Sequence, residues 1–151
     1  MIHDRETTTA AWIEHSLPTA DLEEWRRSYT ALLPAGLHWD VARLPLAAWE
    51  RARRARTRLG GLPVLETRGR PVIYDPTCGT VYVPVPVGSV VPGVRVLRAG
   101  TWLLVHHPSH PAAPGRWLSL PARPYQLIDA TALAAAVATI PAPRTAIEDR
   151  S

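Results

Sequence analysis

The middle of the chain, residues 62–120, constrains the fold most, because short runs of β-forming residues alternate there with proline and glycine. Proline has no backbone N–H to donate to a sheet ladder, so runs that contain it favour edge strands and hairpin ends. Six strands are predicted in this region, over residues 63–66, 71–74, 80–85, 94–97, 101–105 and 116–120. The pattern indicates a small antiparallel or mixed sheet.

Helical patterns flank this region. Before it, helices are predicted over residues 5–15 and 20–33, then a strand over 37–43 and a helix over 45–59 that ends at Gly60-Gly61. In the second helix, apolar residues at three- and four-residue spacing should face the core: Leu22, Trp25, Tyr29 and Leu32. After the region, residues 129–140 are predicted to form a helix capped by Asp129 or Thr131.

This order of elements predicts an α+β fold, because a βαβ repeat would alternate helices and strands throughout. A chain of 151 residues fits one domain. We divide it into an N-terminal helical segment (1–35), an α+β core (36–140) and a tail (141–151) that is predicted to be disordered.

Composition narrows the class of protein. No apolar run approaches the roughly 20 residues needed to cross a bilayer, and the N-terminus lacks the apolar segment of a secretory signal. We therefore expect a cytoplasmic protein without membrane contact. Cys78 is the only cysteine, which excludes an intramolecular disulfide, and it is predicted to be buried and inert.

The positive charge is concentrated in one segment. Residues 43–70 hold eight arginines against Glu50 and Glu66, so they carry +6, and the total of +4 leaves −2 for the rest of the chain. In a helix over 45–59, Arg51, Arg54 and Arg58 share one outer flank, where they could track phosphates. The alternative interpretation is an ordinary solvated helix face in a protein whose basic residues are all arginine.

Six tryptophans could provide stacking platforms for bases where they are exposed. Most are in phase with apolar neighbours, which favours a place in the core. Four are predicted to be buried: Trp25, Trp39, Trp49 and Trp102.

Catalytic patterns are incomplete. There is no nucleophile elbow, P-loop or GxGxxG motif. Two-metal phosphoryl transfer needs two or three converging carboxylates, whereas the candidate strand holds only Asp40, and the spacing brings neither Glu66 nor Asp75 to it. His106 and His107 are adjacent on a strand and point to opposite faces, so they cannot share one metal ion.

Several segments resemble the primase-polymerase domain of bacterial replicative proteins, in a short actinobacterial form. The best part is residues 93–110, GVRVLRAGTWLLVHHPSH, followed by Gly115-Arg116-Trp117. Upstream, the segments VLET (64–67) and CGTVYV (78–83) resemble the paired strands around a Gly-Gly-x-His-hydrophobic-Tyr motif of that family. The resemblance covers residues 36–117.

The resemblance implies an RRM-like sheet and also departs from the family at two points. Gly79 and Tyr82 match the motif, and His110 falls at an expected histidine, but the phosphate-contacting histidine position holds Thr80. The catalytic acid pair is reduced to Asp40. The resemblance therefore implies a non-catalytic relative that has no cofactor and binds nucleic acid or nucleotide.

The expected contacts follow from this reading. Phosphates would be met by Arg51, Arg54, Arg58, Arg95 and Arg98. A nucleotide would be contacted by Thr80, Tyr82 and His110.

Two alternatives from other classes stay open. The first is a protein-interaction or assembly module that uses the proline-rich stretch 83–93 and has no affinity for nucleic acid. The second is a nucleotidyltransferase or nuclease that uses Asp40 with Mg²⁺ or Mn²⁺. The sequence leaves the oligomeric state open.

Overall fold

The computed structural model describes residues 2–28, 30–57, 59–107, 116–123 and 126–138. In chain order the elements are α1 (Ile2–Ser16), a 3₁₀ turn (Thr19–Asp21), α2 (Leu22–Ser28), β1 (Thr30–Pro34), β2 (Asp40–Pro45), α3 (Leu46–Arg54), β3 (Val72–Asp75), β4 (Thr80–Val85), β5 (Arg95–Leu97), β6 (Trp102–His106), β7 (Arg116–Ser119) and α4 (Ala130–Ala138). The predicted α+β fold is confirmed.

The described strands form two antiparallel sheets. One has five strands in the order β5-β2-β4-β3-β7, and β1 and β6 form a separate two-stranded ribbon. If β2, β3, β4 and β5 are numbered one to four in chain order, they lie side by side in the order four, one, three, two. Helix α3 connects β2 to β3. This is the strand order of the split β-α-β arrangement found in RRM-like sheets.

The alternation of side chains divides the core into two layers. On one face of the five-stranded sheet, Ala42 and Leu44 pack towards α3 and α4. On the other face, Val41 and Ile73 pack with α1 and the ribbon. The sheet is thus enclosed by helices on one side and by α1 and the ribbon on the other.

Tryptophans organise the second layer. Trp12 stacks on Trp39 with ring centroids 5.5 Å apart, and Trp117 meets Trp12 edge-on at 5.9 Å. The Trp39 indole N–H donates to Ser16 Oγ at 3.0 Å, and that hydroxyl donates to the Trp12 carbonyl at 2.9 Å. The predicted burial of Trp25, Trp39 and Trp49 is confirmed, but Trp102 is 53% exposed, contrary to prediction.

The predicted helix over 20–33 is wrong in its second half. Helix α2 ends at Ser28, and residues 30–34 form β1, which pairs with β6. This pairing directs Ala31 and Leu33 into the core and leaves Leu32, which the helical pattern placed inside, 55% exposed. Tertiary pairing with a distant strand has overridden the local periodicity.

The basic helix is also shorter than predicted. It ends at Arg54, and Ala55 already has extended backbone angles. The chain then turns back on itself, because Thr57 N–H donates to the Leu62 carbonyl and Val64 N–H to the Ala55 carbonyl. The strand predicted over 63–66 is reduced to one isolated bridge with Arg56, while the turn brings Leu65 into the core.

The other predicted elements agree with the structure to within a few residues. Asp129 caps α4, since its carboxylate accepts the Ala132 N–H at 2.8 Å. Cys78, predicted to be buried, is exposed in the β3–β4 turn. The tail 141–151 lies outside the described residues. No helix in the described part of the chain is long and apolar enough to cross a membrane.

Candidate functional site

A cleft of about 420 Å³ opens where the ribbon meets the face of the five-stranded sheet opposite α3 and α4. Val41, Ile73 and Leu97 form an apolar floor on the sheet side, and Leu103 and Leu104 contribute from β6. Polar and aromatic side chains of both walls surround this floor: Arg43, Asp75, Tyr82, Arg95, Trp102 and His106. An apolar cavity with a few convergent polar groups is the usual form of a ligand site.

Arg43 and Arg95 are the main charged groups of this cleft. They are directly opposite each other in the β2–β5 register, so both side chains lie on the same face. Both are exposed, and neither guanidinium makes an ion pair with any described residue. Like charges directly opposite in a sheet are destabilising. The pair is therefore an arrangement that an anion would stabilise.

Tyr82 follows Arg43 in the same row across the sheet, because these two residues are partners in the β2–β4 register. Burial raises the pKa of the Tyr82 hydroxyl above its ordinary value, and the neighbouring Cys78 thiol raises it further. In the opposite direction, the positive charge of Arg43 lowers the pKa of Tyr82, because the guanidinium lies near the phenol. At neutral pH the hydroxyl is protonated and can donate a hydrogen bond to a ligand.

Asp75 ends β3 and lies on the cleft side of the sheet, two residues after Ile73. Its Oδ1 accepts hydrogen bonds from the Thr77 backbone N–H at 2.9 Å and the Thr77 hydroxyl at 2.6 Å. The hydroxyl bond is the main reason that the pKa of Asp75 lies below its ordinary value, although partial burial opposes it. The cleft thus holds an ionised carboxylate as well as two guanidinium groups.

Replacing Thr77 with valine is expected to raise the pKa of Asp75 towards its ordinary value. A carboxyl group with a depressed pKa stabilises the fold above its unfolded-state pKa, and this stabilisation is lost as the pH falls through the folded-state value. The variant should be less stable by about 1 kcal/mol at pH 7, and the difference should disappear in acid. Titration of the Asp75 carboxyl carbon by NMR would measure the shift, and an unchanged titration would contradict this assignment.

The ribbon wall is anchored to the rest of the fold. Nδ1 of His106 lies 3.0 Å from the Thr30 hydroxyl. The backbone carbonyl of His106 accepts a hydrogen bond from the Trp117 indole N–H at 3.0 Å. These contacts fix β6 against β1 and β7. Trp102, at the other end of β6, is half exposed and is the most open aromatic side chain of the cleft.

Asp40, the predicted acid, lies elsewhere and is already engaged. It is buried at the start of β2, and its Oδ2 accepts the Arg98 guanidinium at 2.7 Å and the Gly88 N–H at 2.9 Å. Arg98 also donates to the Ser89 carbonyl at 2.8 Å. This network ties β2 to the turn after β4. Among the described residues, no cluster of three or more His, Cys, Asp or Glu could hold a metal ion.

The predicted phosphate contacts are therefore divided between different places. Arg51 and Arg54 are exposed on α3, which packs on the opposite face of the sheet from the cleft, and Arg54 lies 3.4 Å from Glu50. Arg98 is committed to Asp40. Arg58 lies outside the described residues.

The predicted nucleotide contacts are divided as well. Tyr82 lines the cleft together with Arg95, whereas Thr80 is buried and donates to the Cys78 carbonyl at 3.4 Å. His110 lies outside the described residues. Sequence reasoning missed Arg43 and the cleft role of Trp102. For Arg43 a signal existed, because in β2 it alternates with Ala42 and Leu44, which pack towards α3 and α4, and so lies on the opposite face of the sheet.

Comparison with known proteins adds no relative. No protein-family model, curated protein or solved structure matches this chain.

Proposed function

We propose that this chain is a non-catalytic domain that binds a phosphate-bearing ligand, a nucleic acid or a nucleotide, in the cleft between the sheet and the ribbon. The observation that carries the proposal is that Arg43 and Arg95 lie opposite each other on neighbouring strands at this cleft, and neither makes an ion pair with a described residue. An arginine fork donates two parallel hydrogen bonds to a phosphate, and two such forks on one face define a site for it.

The rest of the cleft suits the sugar and base of such a ligand. Tyr82 and Trp102 offer aromatic surface, and stacking of a base on an exposed aromatic side chain contributes roughly 1–3 kcal/mol. RRM-like sheets bind single-stranded nucleic acid on the sheet face opposite their helices. Here the cleft lies on the face opposite α3 and α4, a face that α1 and the ribbon cover in part. The resemblance to primase-polymerase domains supports the same ligand class.

Two features of the acidic residues support a non-catalytic domain. The Oδ2 of Asp40, which the resemblance aligns with the catalytic acids, is already occupied by Arg98 and Gly88, so this oxygen is not open to a metal ion. Asp75 is the only acid among the described residues that line the cleft, whereas two-metal chemistry needs two or three converging carboxylates.

The test is a titration of labelled single-stranded oligonucleotides by fluorescence anisotropy, at low and near-physiological salt. Replacing Arg43 and Arg95 together with alanine should weaken binding about 100-fold or more, since each charge-assisted contact contributes about 1.5–3 kcal/mol. The matched control replaces Arg51 and Arg54, which removes the same charge from α3. An equal loss in both double variants would show general electrostatic attraction and would overturn the cleft as the site.

The same variants give a second readout. Because the two guanidinium groups repel each other in the free protein, Arg95→Ala should leave the thermal midpoint unchanged or raise it slightly while weakening binding. Thermal unfolding followed by circular dichroism would measure this. A lower midpoint would mean that Arg95 stabilises the fold and that the loss of binding is indirect.

A second candidate function is docking of a protein partner through the turn within the 83–93 stretch. Pro84 and Val85 are buried in β4, but Val87 and Val90 project with more than half of their surface exposed. This candidate predicts a co-purifying protein or a stable complex that Val87→Ser and Val90→Ser abolish. It would replace the first proposal if neither oligonucleotides nor mononucleotides bound at either salt concentration.

A further inference from the structure

Asp75 is not explained by phosphate binding alone. The Asp75 carboxylate would repel the phosphate of a ligand, so we expect it to contact a different part of that ligand. It does not neutralise the arginines either, since none of the ion pairs between described residues joins Asp75 to Arg43 or Arg95. A carboxylate kept ionised by Thr77 is acceptor-only, so it calls for hydrogen-bond donors on the ligand.

The sheet register gives the spacing between these groups. Arg43, Tyr82 and Ile73 form one row across three neighbouring strands, and Asp75 is two residues further along the third. With strands about 4.8 Å apart and a rise of about 3.3 Å per residue, the Cα atoms of Arg43 and Asp75 are separated by roughly 12 Å. Tyr82 stands between them, roughly 8 Å from Asp75 on the same spacings. One nucleotide can span this separation, with its phosphate at the Arg43 end and its base at the Asp75 end.

We propose that the cleft selects a guanine nucleotide, with its phosphate on Arg43 and Arg95 and the donor edge of the base on Asp75. This inference rests on the proposed function and names the ligand within it. Guanine presents two neighbouring donors, N1–H and the 2-amino group, and Oδ2 of Asp75 can accept them because both Thr77 hydrogen bonds go to Oδ1. On their pairing edges, adenine, cytosine and uracil place an acceptor next to each donor, and a carboxylate repels that acceptor.

The remaining walls fit this orientation. Tyr82 lies between Arg43 and Asp75 on the sheet, where its ring can stack on the base, and Trp102 lines the same cleft from the ribbon. A volume of about 420 Å³ accommodates one nucleotide and not a longer strand. The ligand is therefore a free guanine nucleotide or the 5′-phosphorylated guanosine at the end of a strand, which share the same chemistry.

The experiment compares guanosine, inosine and adenosine 5′-monophosphates by isothermal titration calorimetry with the full chain. Guanosine monophosphate should bind at least about 10-fold more tightly than adenosine monophosphate, because the pairing edge of adenine sets an acceptor against the Asp75 carboxylate where guanine offers a second donor. Inosine monophosphate, which lacks the 2-amino group, should lie between them. A 5′-phosphorylated oligonucleotide that begins with guanosine, and its 5′-hydroxyl counterpart, distinguish a strand end from a free nucleotide.

The decisive variant is Asp75→Asn, which keeps an oxygen for Thr77 and changes the hydrogen-bonding pattern towards the base. It should bring guanine and adenine nucleotides to within about twofold of each other. The matched control is Glu66→Gln, because Glu66 is an exposed acid that accepts a backbone N–H two residues on, as Asp75 does, but lies outside the cleft. This control should leave the preference unchanged, and circular dichroism checks that both variants fold.

The outcomes separate this inference from the proposed function. Equal binding of guanine and adenine nucleotides that is lost in the Arg43→Ala, Arg95→Ala double variant would overturn the guanine preference and keep the phosphate site. Binding of oligonucleotides without binding of any mononucleotide would overturn the one-nucleotide site alone. If neither mononucleotides nor oligonucleotides bind, both proposals fall.

Discussion

Replacing Trp39 with alanine is expected to lower the free energy of unfolding by about 3–5 kcal/mol, the cost typical of removing a large aromatic side chain from a core. Trp39 is 2% exposed, stacks on Trp12 and donates its indole N–H to Ser16. The substitution leaves a cavity where α1 meets the sheet and removes the hydrogen bond that links them. Both effects act in the same direction.

Denaturant unfolding followed by circular dichroism would measure this change. The control is Trp102→Ala, since Trp102 is half exposed at the cleft and its removal should change stability by about 0.5 kcal/mol or less. Trp39→Phe should be intermediate, because it retains most of the apolar surface but loses the bond to Ser16. Similar losses for Trp39→Ala and Trp102→Ala would contradict the placement of these two side chains.

Replacing Arg98 with alanine is expected to lower the free energy of unfolding by about 3 kcal/mol, because it leaves the buried Asp40 carboxylate without its counter-charge. The Asp40 side chain is 2% exposed, whereas that of Arg98 is 47% exposed, so the two partners are not equivalent. Asp40→Asn removes the buried charge itself and should cost less. A surface ion pair would instead show losses of at most about 1 kcal/mol for either partner.

A double-mutant cycle of Asp40→Asn and Arg98→Ala measures how strongly these two side chains stabilise each other in the fold. The double variant should be more stable than Arg98→Ala alone, since the unpaired buried charge is then absent. Glu50→Gln on α3 serves as a control for exposed pairs, because its partners Arg53 and Arg54 lie at the surface. If Arg98→Ala cost no more than this control, the network would have no structural role.

Parts of the fold could be predicted from the sequence because they depend on local chemistry. The β-rich runs separated by glycine and proline correspond to β3, β4, β5, β6 and β7, and Asp129 caps the last helix as its type and position indicate. Alternation in β2 decides which side chains face the helices. These features follow from backbone stereochemistry and from the two-residue period of a strand.

Other parts could not be predicted, since they depend on partners far away in the chain. Residues 30–34 have a helical pattern but pair with residues 102–106, and the same pairing exposes Trp102. Cys78 lies at the surface because it falls in the β3–β4 turn, and the residue type alone does not indicate this exposure. In the cleft, Arg43 and Arg95 are 52 positions apart and meet only through the β2–β5 register.

The sequence by itself thus determined the α+β class, the strand-rich centre, the capped last helix and the surplus of arginine. The tertiary structure decided which arginines face an open cleft and which are neutralised. It paired Arg98 with Asp40, directed α3 away from the cleft and brought Arg43, Arg95, Tyr82 and Asp75 to one face. The physical reason is that an arginine's availability depends on the acids around it in space, and strand pairing over long separations sets those neighbours.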